Sequence, residues 1–180
     1  MAGERGRGQG IQPWQREIFE VSQSGQIAHV SYVPDGGHKG PIALCRNSQK
    51  MKKTVLTTEE EGVGLAAGLW LGGQRSVLPM QSSGVGNCVN TFALTEACRI
   101  PLLLLVTMRG EFAEYIPFQI PMGKRTPDIL NVMGFEVYRA QTSDEVADIV
   151  SGALDQAFLS NRAVAVLLSL RMIGRKNWTK

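Results

Sequence analysis

Two rhythms alternate along the chain. Short aliphatic or β-branched runs occupy residues 27–33, 53–57, 76–80, 101–108, 135–140 and 162–170, each of strand length. Between them lie stretches with helical spacing or helix-forming composition, at residues 14–24, 41–50, 60–73, 89–99, 126–134 and 142–160. The first of these carries the stripe Trp14, Ile18, Phe19 and Val21. The run PLLLLVTM shows no polar alternation, which predicts a strand covered on both faces and therefore the centre of a parallel sheet. Pro127 near a first turn and Gly134 at an exit bracket one short helix. Thr142 and Glu145 have the spacing of a capping box at the start of another. Strands and helices alternate about six times, which predicts an α/β fold, a three-layer sandwich whose mainly parallel six-stranded sheet lies between helices.

The 180 residues, 43% of them hydrophobic, suit one domain with its own core. That domain is expected over residues 11–180, behind a flexible Gly/Arg-rich tail at residues 1–10. Part of the formal charge of +3 sits at the two ends, in Arg5, Arg7, Arg171, Arg175, Lys176 and Lys180. Such a modest excess does not support a nucleic-acid partner, which requires a concentrated basic face. Cys45, Cys88 and Cys98 form an odd set without CxxC, and His29 and His38 are the only histidines. A disulfide scaffold and a zinc or histidine metal site are therefore not expected, and a reducing cytoplasm is. No apolar segment follows the N-terminal charges, so no signal peptide is expected. The longest aliphatic run is far short of the roughly 20 residues that span a bilayer, so no membrane segment is expected.

In open α/β sheets, ligands meet the loops at the carboxyl ends of the strands. Four polar clusters fall at such exits: PDGGH after the first strand, TEE after the second, QSSGVGN after the third and MRGEF after the fourth. SSGVGN, residues 82–87, is expected to be a turn in which Gly84 and Gly86 allow a backbone to approach a ligand closely, but the third glycine of GxGxxG and the Lys-Ser/Thr of a P-loop are both missing. GxSxG is missing as well. Any of Glu59, Glu60 and Glu61 suits the positive end of a helix. The preceding strand aims Glu59 into the crevice, where a carboxylate becomes useful as a proton donor or acceptor. His29 is expected in the core, whereas His38, in a Gly-rich turn, is as readily solvent-facing. Arg109 either clamps an anion at the crevice mouth or pairs with Glu111 or Glu114. Residues 109–124, with Pro117, Pro121 and three aromatics, have no steady period and are expected to form a loop.

The stretch TTEEEGVGLAAGLWLGGQRSVLPMQSSGVGN, with VSYVPD before it and VTMRGEF and PMGKRTPDILNVMG after it, resembles the pyrimidine-binding domain of thiamine diphosphate enzymes. Within that family it is most similar to the sulfopyruvate and phosphonopyruvate decarboxylases, and the resemblance covers nearly all of the chain beyond the tail. It implies that Glu59, nine positions before Gly68, shares a hydrogen bond with a ring nitrogen of the cofactor's pyrimidine. Asp35 in VPD, and then His38, are the further catalytic candidates it implies. Gln81, Ser82, Ser83, Gly84 and Asn87 would line the cofactor, and Arg109, Lys124 or Arg125 would meet the substrate's anion.

The implied activity is decarboxylation of a small anionic 2-oxo acid, foremost sulfopyruvate to sulfoacetaldehyde, with phosphonopyruvate or another anionic 2-oxo acid as the alternative. A domain kept as a non-catalytic scaffold or regulatory relic is the reading from another class. Relatives hold Mg2+ and the diphosphate on a second domain with a GDG motif, which does not occur in this sequence. The resemblance therefore implies a separate beta subunit that completes the site, in an α2β2 assembly.

Overall fold

The computed structural model describes residues 10–174, so most of the expected tail, and the cations at 5, 7, 175, 176 and 180, lie outside the described residues. Helix α1 (Pro13–Ser24) precedes strand β1 (Ile27–Tyr32), and α2 (Lys39–Asn47) leads to β2 (Lys52–Val55). Helix α3 (Glu59–Leu71) connects to β3 (Arg75–Gln81), and the short α4 (Ser82–Cys88) and α5 (Ala93–Ala97) connect to β4 (Leu102–Thr107). Then follow α6 (Gln119–Val132), β5 (Glu136–Ala140), a 3-10 turn at Ser143–Glu145, α7 (Val146–Leu159), β6 (Ala163–Leu168) and α8 (Leu170–Ile173).

The six strands form one sheet in the order β2-β1-β3-β4-β6-β5, and every pair is parallel. Alternate residues of the central strands feed two cores, one on each face, as a strand's period of two requires. On one face Val77, Leu103, Leu105 and Val166 pack with Trp14, Ile42 and Leu154 from α1, α2 and α7. On the other Leu78, Met80, Leu104 and Leu167 pack with Val63, Val85 and Leu130 from α3, α4 and α6. The all-apolar run in β4 is thus explained, because both of its faces are covered.

Right-handed crossovers decide which layer each helix joins. From β1 the chain moves outward to β2 through α2 in the first layer. From β2 it returns past β1 to β3 through α3 in the second layer, and it continues in that direction through α4 and α5. The neighbours β1 and β3 therefore send their following segments to opposite layers. That divergence opens a crevice at their carboxyl ends.

Chain chemistry reinforces the opening. The β1–β3 ladder stops at Val30 and Val77, whereas the β3–β4 ladder runs on to Gln81 and Thr107. Between these ends lies Pro79, which has no N–H to donate. Successive residues of a parallel strand turn their polar groups to alternate neighbours. Because the β4 ladder continues through Pro79, the missing donor faces the side that β1 has left.

Three local expectations change. Residues 82–87 are not a turn but helix α4, which starts directly at the end of β3. The loop after β4 ends at residue 118, and α6 takes up the remainder with Pro127 in its interior. Beside the rung that this proline cannot make, Thr126 Oγ1 donates to the Met122 carbonyl at 2.8 Å. At the start of α7, Glu145 accepts from the Gln141 backbone N–H at 2.9 Å instead of from Thr142.

The thiols report on this packing. Burial pushes the Cys45 thiol up to about 11 and the Cys88 thiol up to about 12, the latter aided by the nearby Glu59 and Glu60 charges. Cys98 is exposed. Iodoacetamide at neutral pH should label Cys98 alone in the native protein, and peptide mass mapping should find Cys45 and Cys88 modified only after denaturation.

Candidate functional site

Four segments converge on the crevice: residues 33–38 after β1, the first turn of α3 after β2, the β3–α4 junction, and the loop after β4. Glu59 is the first residue of α3, behind Thr58 in extended conformation. Its carboxylate accepts a hydrogen bond from Asn87 Nδ2 at 2.9 Å. Gly84 lies beneath it, and a Cβ built there would stand 2.6 Å from Glu59 Cδ, closer than packed atoms tolerate. Only glycine therefore leaves the carboxylate where it is. The neighbouring acids behave as helix-start residues: Glu61 reaches back to the Thr57 N–H at 2.8 Å, and Glu60 is exposed.

The loop after β1 is drawn across the sheet end. Asp35 accepts from the Gly37 N–H at 3.2 Å and from Thr107 Oγ1, at the end of β4, at 2.8 Å. His38 is fully buried, and its Nε2 meets the Leu105 carbonyl at 2.8 Å and the Met80 carbonyl at 3.2 Å. Carbonyls only accept, so Nε2 carries the proton and Nδ1 is bare; Nδ1 is buried without a hydrogen-bond partner among the described residues. Burial lowers the imidazole pKa despite the opposing charge of Asp35. The solvent-facing alternative for His38 is thereby corrected: the ring is a neutral tie between the loop and two strands. His29 is buried in β1, bonded to Thr54 Oγ1 at 2.9 Å.

Arg109 is also buried, and its guanidinium forms a two-pronged pair with Glu114, with Nε and Nη2 each at 2.7 Å. Glu114 accepts from the Gly110 and Ile116 N–H groups as well, at 3.3 and 3.1 Å. These donors, chiefly Arg109, hold the Glu114 carboxyl down at about 2. Of the two acids offered as partners for Arg109, Glu114 takes the role, and Glu111 pairs with Arg139 at 2.6 Å. The remaining nitrogen of Arg109 donates to Gln81 Oε1 at 3.4 Å, and Gln81 Nε2 donates to Ser83 Oγ at 2.8 Å. Ser82, buried, accepts from the Arg109 N–H at 3.1 Å and so serves the framework. Gly123 lets α6 press on the Arg109 carbonyl, only 1.8 Å from where a Cβ would be.

Asp35, Glu59, Gln81 and Arg109 line one cavity of about 380 Å³, with Ile116 and Gln119 on its far side. Asn87 and Gly84 support Glu59 from behind. His38, Lys124 and Arg125 are not part of the lining; Lys124 and Arg125 are exposed on α6. The substrate-anion role expected of these two cations is thus not supported by their position, and the charge of Arg109 is already matched by Glu114. Thr107 has no signal in the sequence, because a threonine within an apolar strand shows its partner only once the chain is folded.

Comparison with known proteins gives the family. No family model matches the chain. It is 30% identical to the sulfopyruvate decarboxylase subunit alpha of Methanococcus maripaludis over 152 residues, which is 84% of this chain and 91% of that one. The chain belongs to the sulfopyruvate decarboxylase alpha-subunit family. A longer relative, the sulfopyruvate decarboxylase of Methanosarcina acetivorans, is 34% identical over 86% of this chain, but the match covers only 40% of that protein. Among solved structures, the 2-oxoglutarate:ferredoxin oxidoreductase of Magnetococcus marinus superposes on 89% of the chain with a TM-score of 0.71. The match covers 29% of that protein at 12% identity, which is a likeness of fold.

The buried Arg109–Glu114 pair yields an energetic test. Removing one member of such a pair leaves a stranded charge and costs about 3 kcal/mol or more. Urea titration of Glu114→Ala should show that loss, whereas Glu111→Ala, whose partner is half-exposed, should lose under about 1 kcal/mol. Because the Glu114 pKa is depressed from 4.5, its contribution is complete above that pH and disappears as pH falls toward about 2.

Proposed function

We infer that this chain is the alpha subunit of a thiamine diphosphate-dependent decarboxylase that converts sulfopyruvate to sulfoacetaldehyde and carbon dioxide. The observation that carries the reading is the Glu59 carboxylate, fixed by Asn87 above a bare glycine, at a cavity between the β1 and β3 exits. This donor set fits an aminopyrimidine: a fixed carboxylate for a ring N–H, with the Gln81 amide on the adjoining wall, steadied by its bond to the Ser83 hydroxyl. Thiamine diphosphate, when bound, supplies an electron sink for loss of carbon dioxide from a 2-oxo acid.

The residues of this chain prepare that chemistry. Glu59 would hold a proton-sharing contact to the pyrimidine; Gly84 and Asn87 fix where its oxygens lie. Asp35 presents its carboxylate at the crevice, oriented by Thr107 and its own turn, and is the second proton-handling group. His38 positions Asp35 by anchoring the loop. That relatives are named subunit alpha, and that another relative is more than twice the matched length, supports a partner subunit; in this reading the partner would hold Mg2+ and the diphosphate, in an α2β2 assembly. The setting is the cytoplasm, in keeping with three free cysteines. Among the described residues no helix is long and apolar enough to cross a membrane.

The test is reconstitution with the partner subunit, thiamine diphosphate and Mg2+, followed by carbon dioxide release from sulfopyruvate and from phosphonopyruvate. Sulfopyruvate should be turned over faster; no release from either would end the enzyme reading. Glu59→Gln should assemble normally yet lose on the order of 10²-fold or more in kcat. Glu60→Gln and Glu61→Gln should stay within about threefold of the parent.

A further inference from the structure

A second cavity lies on the outer side of the loop that carries Asp35. It has a volume of about 730 Å³, within the range of small-ligand sites. Lys39 and Arg46 stand seven residues apart on α2, and with Ile42 they place two cations and an apolar side chain on one helix face. The opposite wall is the outer sheet edge, where Lys53 and Val55 alternate onto the same side of β2. Pro34 and Asp35 are shared with the crevice.

The charges are not mutually neutralised. Three cations meet one carboxylate, and Lys39 and Arg46 have no ion-pair partner among the described residues. Lys53 is held in place: its ammonium donates to the Ser48 carbonyl at 2.8 Å and the Arg46 carbonyl at 3.4 Å. An ammonium has three donors, so one remains for a ligand. The guanidinium fork of Arg46 and the mobile charge of Lys39 complement a group with several oxygens. Within the crevice itself, by contrast, the charge of Arg109 is already matched.

We propose that this cavity is a binding site for a small tetrahedral oxyanion, a sulfonate, phosphonate or phosphate group, held by Lys39, Arg46 and Lys53. The group is shared by the tail of a sulfonated 2-oxo acid and by free inorganic anions. Binding requires neither cofactor nor turnover, so it can be read on the full chain even where decarboxylation fails.

Isothermal titration of the chain with inorganic phosphate and with methanesulfonate, at fixed ionic strength, should show saturable binding. Lys39→Gln with Arg46→Gln, both exposed positions, should weaken it by about tenfold or more. Lys124→Gln with Arg125→Gln, the same change of charge on α6, should not. Amide shifts on titration should cluster at residues 32–35, 39–47 and 53–55. Unsaturable uptake, equal loss in both double variants, or shifts elsewhere overturns the site. In the assembled enzyme, phosphate competing with the 2-oxo acid, together with a raised KM in the Lys39/Arg46 variant, assigns the substrate's tail. A phosphate effect on rate that is non-competitive and vanishes in that variant assigns a free anion.

Discussion

The architecture of the site depends on one tie, the donation of a buried imidazole N–H from His38 to carbonyls of two adjacent strands. The crevice exists because β1 and β3 send the chain to opposite layers, but that topology alone would leave residues 33–38 hanging from the sheet edge. Anchoring the ring on Met80 and Leu105 draws the loop over the strand ends, where Asp35 meets Thr107. A bond to a charged imidazole would also serve geometrically, but burial disfavours the charge, and the neutral form keeps the donor without adding a buried ion. The position of Asp35 therefore rests on a residue outside the cavity.

A second framework lies across the crevice. Glu114 gathers two guanidinium nitrogens and two backbone N–H groups, folding residues 109–116 onto themselves without regular structure. Such a loop has little apolar burial of its own, with Phe112, Tyr115 and Phe118 all exposed, so its order comes from charge-assisted bonds. The Arg109 side chain then meets Gln81, which carries the order to Ser83 and the start of α4. The two walls of the cavity are thus fixed by different physics, one by a neutral ring on carbonyls and one by an ion pair.

Much of this was legible from residue order. Alternation of aliphatic runs and helical stretches gave the six strands, and β4 announced its central place because both faces are buried. The family resemblance singles out Glu59 among three acids by its spacing from Gly68, and Asn87 and Gly84 fall beside it. What stayed hidden depended on contacts distant in sequence. Thr107 and Asp35 are 72 residues apart, and His38 and Leu105 are 67 apart. The two glycines of α4 read as a turn, whereas in the folded chain they lie in a helix and Gly84 makes room for a carboxylate. Arg109 was legible as a dilemma between ligand and partner, and only the folded loop shows that its charge is spoken for.

Pro79 has a further meaning when the sheet is considered as a zipper. A strand beside an ordinary neighbour can slip along it by two residues and still find every donor it needs, keeping its side chains on their proper faces. Here β1 meets a tooth with no hydrogen. Sliding or lengthening toward the carboxyl edge would set one of its carbonyls against the pyrrolidine ring, so the depth of the crevice is measured out by a covalent feature of its neighbour. The cleft between the two strands therefore does not depend on a ligand to wedge it open; the chain is prevented from closing it.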